Sequence, residues 1–352
     1  MVDWTEKGGG FVELKVLPGV LVPWYRENRR ELPWRANREP YRIWVSEIML
    51  QQTRVEAVKG YYARFLDRLP DVEALAVCDD DELHKLWEGL GYYSRVRNLK
   101  KAAGVIVSRH GGEFPRDYAA VRALPGIGDY TAGAICSIAF DLPTPAVDGN
   151  VLRVLSRLRA DGEPIDLPAV KKRVQGELAE IYPADCPGEF TQALMELGAT
   201  VCVPNGEPRC GACPCREFCE GRDQWQKFPA KLPKKEKKQE DRTVFLLHCG
   251  ENWAIEKRPN KGLLAGLWQF PNVAGHLTAE ESVRWAEEMG LHPRHVERSM
   301  DRHHIFTHIR WDLRGWFLEV EEMAGGFTWL TLDEIDEQAA LPTAFRQFRE
   351  EI

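Results

Sequence analysis

The stretch from Leu124 to Asn150 constrains this chain more than any other. It reads Leu-Pro-Gly-Ile-Gly-Asp-Tyr-Thr-Ala-Gly-Ala-Ile and runs on to Pro-Ala-Val-Asp-Gly-Asn. Pro125, Gly126 and Gly128 break one helix, and Thr131, Ala132, Ala134 and Ile135 start another. A tight hairpin over about 122–135 then leaves free backbone N–H groups at a helix N-terminus. Such a terminus is an anion site that a DNA phosphate fits, although the same Gly-x-Gly turn also serves as a plain connector. Asp148 stands near the start of a helix predicted from Val151 to Leu158. It reads either as an N-cap or as a functional carboxylate.

A second carboxylate is conspicuous for its neighbours. Pro40 is a first-turn proline, and the helix it starts reads Tyr-Arg-Ile-Trp-Val-Ser-Glu-Ile-Met-Leu-Gln-Gln-Thr. Ile43, Glu47 and Leu50 fall at i, i+4 and i+7, so Glu47 shares a stripe with two apolar residues. A carboxylate there is either a buried ion-pair or cap partner, or a general acid whose pKa is raised by desolvation.

Nine cysteines occur, five of them between Cys202 and Cys219. No signal-peptide pattern opens the chain and no run of 18 uncharged apolar residues occurs, so a cytoplasmic, non-membrane protein with a metal site is expected rather than a disulfide framework. Cys202-x7-Cys210-x2-Cys213-x5-Cys219 suits tetrahedral zinc or a [4Fe-4S] cluster equally by ligand type. The net charge is −7, yet it is unevenly placed. From Thr243 onward there are 11 Lys and Arg against 18 Asp and Glu, which leaves 36 of each before it. The first part can therefore carry the local basic surface that nucleic acid requires.

The chain divides by pattern. Residues 1–20 read as a weakly ordered lead, 21–222 as helical, 223–242 as a charged, proline-bearing linker whose lysines either track phosphate or merely solvate a tether, and 243–352 as an α+β domain of short strands with a helix near Ala279 to Met289.

Leu-Pro-Gly-Ile-Gly with Ala-Val-Asp-Gly-Asn-Val resembles the endonuclease III superfamily of DNA glycosylases. Leu-Pro-Trp-Arg, Trp-Val-Ser-Glu-Ile-Met-Leu-Gln-Gln-Thr and Gly-Leu-Gly-Tyr-Tyr-Ser-Arg resemble, within it, the MutY family of adenine glycosylases. The resemblance covers essentially the whole chain. It implies a multidomain protein: an all-α helix-hairpin-helix glycosylase with a [4Fe-4S] cluster, and a C-terminal Nudix-like domain signalled by Gly-Leu-Leu-Ala-Gly-Leu-Trp-Gln-Phe-Pro. It further implies a monomeric, monofunctional DNA N-glycosylase of base excision repair that flips adenine out of duplex DNA opposite 8-oxoguanine or guanine.

By the same resemblance Glu47, Asp148, Tyr130 and Asn150 form the catalytic group, with Glu47 the acid and Asp148 beside the sugar carbon. Arg35, Gln192 and Trp34 line the base pocket; a solvated helix face is the other reading of Gln192. Gln52, Leu90, Gly89, Gly91, Tyr92, Gly126, Gly128 and Thr131 face DNA, with Gln52 and Leu90 as wedges. Cys202, Cys210, Cys213 and Cys219 hold the cluster, although the first gap is one residue longer than the family's and Cys215 is an extra thiol. Phe306, Thr307 and His308 match the family's Phe-Ser-His lesion reader; by pattern alone they could equally be a strand with alternate residues packed inward.

The Nudix metal box is defective, because Val283, Arg284 and Gly275 stand where carboxylates and their partner belong, so a reader without hydrolysis is expected. Lyase glycosylases of the endonuclease III type carry Lys where Tyr130 stands, and a phenol forms no Schiff base. A non-catalytic iron–sulfur DNA-binding protein is the other alternative; the presence of both Glu47 and Asp148 argues against it.

Overall fold

The structure, a computed structural model, describes residues 13–233 and 236–352. Most of the expected N-terminal lead, and Lys234 and Lys235 of the expected linker, lie outside the described residues. The rest of the lead is helical: a 3-10 turn, Leu14–Val16, runs into α1, Leu17–Asn28. Leu14, Leu17 and Leu21 bury one stripe there, a periodicity that Pro18 and Gly19 disguise in the sequence.

The chain forms two compact units, Met1–Val77 with Asn98–Pro233, and Cys78–Arg97 with Lys234–Ile352. Residues 78–97, helical except for the expected interruption around Gly89–Tyr93, thus belong with the strands of the second unit. Their ties are specific. Glu88 accepts from the Leu341 N–H at 2.9 Å, Arg97 donates to the Ala265 carbonyl at 2.9 Å, and Lys257 pairs with Asp81 at 2.7 Å.

After α1 the helices are α2 Pro40–Met49, α3 Val55–Arg68, α4 Val72–Val77, α5 Asp80–Leu86, α6 Ser94–His110, α7 Tyr118–Arg122, α8 Asp129–Phe140, α9 Gly149–Leu158, α10 Pro168–Ala179 and α11 Pro187–Thr200. Among the described residues no helix is long and apolar enough to cross a membrane. In the first unit α8 is buried all along Thr131–Ile138, as befits a helix apolar on every side. Apolar faces of α1, α9, α10 and α11 share one core, including Leu21, Val154, Leu155, Val174, Phe190 and Leu194.

Two glycines let backbones approach. A Cβ on Gly133 of α8 would run into the Pro145 carbonyl, so glycine there lets the segment leading to Asp148 lie against the helix. A Cβ on Gly198 would stand 2.6 Å from Cβ of Asn150, so glycine there lets α9 and α11 close on each other.

The second unit is a sheet of β1 Lys238–Cys249, β2 Asn252–Lys257, β3 Trp268–Gln269, β4 Asn272–Ala274, β5 Pro293–Ile305, β6 Ile309–Val320 and β7 Thr328–Thr331. Its order is β3-β2-β1-β6-β5, with β4 on β1 and β7 on β2. The β1–β6 pair is parallel and the others antiparallel. Successive residues of the apolar run Val244–Leu247 serve opposite faces. Val244 and Leu246 join Phe345 and Phe348 of α14 Thr343–Arg349 and Ile335 of α13 Leu332–Gln338; Phe245 and Leu247 join Ala286 of α12 Ala279–Glu288. A central strand covered on both faces has to be apolar throughout, and this one is.

The expected linker is shorter than its composition suggests. Its first part packs on the helical unit, where Phe228 and Ala230 carbonyls accept from Arg157 and from the Ile165 N–H at 3.0 Å, and its last residues already belong to β1.

Candidate active site

One cleft of about 980 Å³ in the first unit gathers the expected catalytic and base-pocket residues together with Gln52: Trp34, Arg35, Glu47, Gln52, Tyr130, Asp148, Asn150 and Gln192. Glu39 caps α2 by accepting from the N–H groups of Tyr41 and Arg42, and Pro40 opens the helix. Ile43 and Glu47 are buried on its cleft side. The helix ends at Met49, short of the Gln-Gln-Thr that the sequence assigns to it. Gln52 falls in the turn beyond, in the left-handed region at φ 60°, and is exposed.

Glu47 meets Tyr130, the second residue of α8. The tyrosine hydroxyl donates to Glu47 Oε2 at 2.5 Å. Burial raises the Glu47 carboxyl to about 7; the Tyr130 hydrogen bond opposes this, and the nearby charge of Asp148 reinforces it. Burial also raises Tyr130 well above its ordinary value, so it remains a donor.

Asp148 is an N-cap, and it lines the cleft as well. Its Oδ1 accepts from the Val151 N–H at 2.8 Å and its Oδ2 from the Asn150 amide at 2.7 Å. Burial raises this carboxyl too, but the two N–H donors and the Arg153 charge work against it. The positive end of α9 adds to them. The two carboxylates thus differ in surroundings: Glu47 has one hydroxyl partner on an apolar stripe, and Asp148 has several donors. Arg153, buried, links Asn150 to the cysteine loop, donating to Asn150 Oδ1 at 2.8 Å and to the carbonyls of Gly198 and Cys202 at 2.8 and 2.9 Å.

At the other wall Arg35 donates to Glu196 Oε2 at 2.7 Å, and Arg30 donates to both Glu196 oxygens at 2.7 and 2.9 Å. Burial would raise the Glu196 carboxyl, but these guanidinium hydrogen bonds overcome it and hold it at about 2. Gln192, half-buried, accepts from the Tyr25 hydroxyl at 2.9 Å and donates to the Gly188 carbonyl at 3.3 Å. Trp34 is mostly buried, its ring edge-on to Tyr62 at 5.5 Å.

The hairpin buries Leu124 and Ile127 and exposes Gly126 and Gly128, with Gly128 the N-cap of α8. Arg122 clamps it, donating to the Ile127 carbonyl at 2.9 Å and to Asp129 at 2.6 Å. Cys202, Cys210, Cys213 and Cys219 line a common apolar cavity with Val154, Leu158, Leu197 and Trp225. Cys215 does not line it and is wholly buried in the helical core.

Against known proteins, residues 45–181 match the HhH-GPD superfamily of base excision DNA repair proteins, and residues 243–351 match the NUDIX domain. An adenine DNA glycosylase of Homo sapiens is 34% identical over 95% of this chain and 73% of its own. The chain belongs to the adenine DNA glycosylases. An adenine DNA glycosylase of Buchnera aphidicola from Acyrthosiphon pisum is 32% identical over 82% of this chain and 83% of its own. Among solved structures, a thermostable thymine-DNA glycosylase is similar with a TM-score of 0.55 and 29% identity, over 60% of this chain and 97% of that one. The enzyme is therefore a DNA N-glycosylase of base excision repair: a helix-hairpin-helix domain followed by a Nudix-like one.

Two residues expected to face DNA in this adenine glycosylase are buried in the structure. Leu90 is only 6% exposed, because the Gly89–Gly91 loop turns its side chain inward; Tyr92, at φ 48° and 46% exposed, is the outward side chain of that loop. Thr131 is buried one turn into α8, where its hydroxyl accepts from Gln51 at 3.5 Å. Within the second unit Phe306, Thr307 and His308 form the turn between β5 and β6, not a strand. Phe306 packs edge-on to Trp311 at 4.9 Å, Thr307 and His308 are exposed, and Thr307 Oγ1 lies 3.1 Å from the Tyr92 hydroxyl. Val283, at the place of the metal box's arginine, packs against the core.

Sequence reasoning passed over Glu196, Arg30, Arg153 and Tyr25. Glu196 carried a readable signal, one turn beyond Gln192 in an otherwise apolar helix face, the same signal that exposed Glu47. The arginines that pair with it come from a segment 161 to 166 residues away, which no local pattern reveals.

Proposed function

We propose that this adenine DNA glycosylase removes adenine paired with 8-oxoguanine from duplex DNA, by flipping the nucleotide into the cleft between Glu47 and Asp148. The carrying observation is that one cleft holds a buried carboxyl bonded to a single hydroxyl, whose pKa burial raises to about 7, and a second carboxylate supplied with N–H donors. Adenine leaves poorly as an anion. With Oε2 occupied by Tyr130, Glu47 gives its proton from the other oxygen to N7 of the base. Asp148 then stabilises the positive charge that develops on the sugar as the glycosidic bond opens, and water completes the reaction.

Arg35, Gln192 and Trp34 receive the base; Gln52 occupies the space it leaves in the stack, at a flipping cost of roughly a few kcal/mol. The exposed glycine hairpin binds a phosphate. Thr307, at the β5–β6 turn, reads the lesion opposite. The reaction stops at base removal, since Tyr130 occupies the place where a lyase needs an amine.

The reading includes a [4Fe-4S] cluster on Cys202, Cys210, Cys213 and Cys219. The donor set fits: four thiols around one apolar cavity, with the Arg157 guanidinium 3.4 Å from Cys202 Sγ to offset thiolate charge. When bound, the group supplies a rigid, redox-active cross-link to this loop, while Arg153 and Arg157 hold the loop to α9.

A single-turnover assay on duplexes with adenine opposite 8-oxoguanine, with and without alkali, tests the reading. Free adenine with strand breaks only after alkali supports it. Breaks without alkali, or excision of pyrimidines instead, would overturn it.

A further inference from the structure

Gln192 lines the base cleft, and a primary amide can present two opposite faces. With its C=O beside a 6-amino group and its N–H beside a ring nitrogen, it complements adenine. Turned by 180°, it complements the 6-oxo and N1–H edge of hypoxanthine. An amide free to turn accepts both bases; a fixed one accepts one.

Two contacts bear on Gln192. The Gly188 carbonyl can only accept, so it takes the amide nitrogen, but at 3.3 Å this bond is long. The Tyr25 hydroxyl donates to the amide oxygen at 2.9 Å. Tyr25 is 1% exposed, and burial raises its pKa, so the proton needed for donation is retained. Were the amide reversed, its oxygen would face the Gly188 oxygen and the phenol proton would lose its acceptor. Leaving such groups unpaired in a buried place is costly. The ring has a second task, because the Arg35 guanidinium lies 5.4 Å from its centroid.

We propose that Tyr25 is a specificity-determining positioning residue: its hydroxyl fixes the Gln192 amide in the orientation that accepts a 6-aminopurine and refuses a 6-oxopurine. This rests on the reading of the cleft as the base pocket.

The test compares single-turnover excision of adenine and of hypoxanthine from duplexes identical in every other position. Tyr25→Phe keeps the ring beneath Arg35 and removes only the hydroxyl. It should lower the adenine-to-hypoxanthine ratio by about five- to tenfold, the scale of one buried hydrogen bond, chiefly through faster hypoxanthine removal. Gln192→Met, which removes the amide, should lower the ratio similarly, and adding Tyr25→Phe to it should change the ratio no further. A merely structural tyrosine slows both substrates alike in both backgrounds; an unchanged ratio in Tyr25→Phe or in Gln192→Met overturns the proposal. If the unsubstituted enzyme excises no adenine, the base-pocket reading fails and this inference with it. Excision of adenine with a ratio indifferent to Tyr25 sinks this inference alone.

Discussion

Tyr130 donates its hydroxyl to Glu47 Oε2 at 2.5 Å, across 83 residues of sequence. The bond holds the carboxyl in place and favours its ionised form, against the burial that raises it to about 7. Protonated Glu47 is the reactive form, so excision by the unsubstituted enzyme should fall as pH rises through about 7. Tyr130→Phe removes an interaction that lowers the Glu47 pKa. The alkaline limb of a single-turnover pH profile should therefore move to higher pH, and a limb that stays or moves down would show that Glu47 is not the acid.

The same carboxyl should make itself felt in stability. Its folded-state pKa, about 7, lies above its ordinary value of 4.5, so the folded state holds a proton that the unfolded chain has lost between those pH values. Glu47 thus costs nothing below pH 4.5, and stability falls progressively up to about pH 7, by on the order of 3 kcal/mol. Glu47→Gln abolishes that dependence. We expect the variant to unfold at higher temperature or denaturant concentration than the parent at pH 8, with the difference shrinking towards pH 4.5, while excision falls at least about a hundredfold.

How far the site was legible follows from which forces are local. The i, i+4 stripe of Ile43 and Glu47 and the apolar run Val244–Leu247 are local, and a helix and a strand formed there, although the helix stops at Met49, short of Gln51 and Gln52. The burial of Leu90 is not legible locally, because a side chain's direction in a turn depends on backbone dihedrals: positive φ at Gly89, Gly91 and Tyr92 turns leucine in and tyrosine out. Glu196 needed arginines from a distant segment. The 78–97 stretch looks helical in sequence, and nothing local says which domain it packs on.

Asp148 both caps α9 and lines the cleft, and the two roles separate by substitution. Asparagine caps a helix about as well as aspartate. Asp148→Asn should therefore keep thermal stability and DNA binding while losing excision at least about a hundredfold. Asp148→Ala should lose excision and, in addition, about 1 kcal/mol of stability with the cap. A fully active asparagine variant in a single-turnover assay would confine Asp148 to the cap.

Cys215 is surrounded by the helical core and absent from the cavity that the other four cysteines line. Protein purified anaerobically from iron-replete cells should be brown and hold about four iron atoms per chain. Cys215→Ala should keep the iron and the visible absorbance, at a stability cost on the order of 1 kcal/mol for the small void. Cys210→Ser should lose both. Iron lost from the Cys215 variant but kept in the Cys210 variant would exchange their assignments.

Thr307 stands at the exposed turn between β5 and β6 with its hydroxyl 3.1 Å from that of Tyr92. 8-Oxoguanine differs from guanine at the C8 oxygen and the N7 hydrogen, so a reader must donate to the first or accept from the second, and a hydroxyl does either. A hydroxyl has one donor and two acceptor sites, so it can keep its bond to Tyr92 and add one to the lesion, a gain of a single hydrogen bond, about 1 kcal/mol. Thr307→Val keeps the shape and removes the hydroxyl. We expect it to reduce the preference for 8-oxoguanine over guanine by about five- to tenfold, with little effect on the excision step at saturating enzyme, because Glu47 and Asp148 are untouched. Tyr92→Phe frees the Thr307 hydroxyl from its present partner without removing it, so it should preserve more of that preference than Thr307→Val does. The ratio of affinities for matched duplexes in one buffer decides the matter, since phosphate contacts and their salt dependence cancel between the two. An unchanged ratio in Thr307→Val would return the turn to a purely structural role.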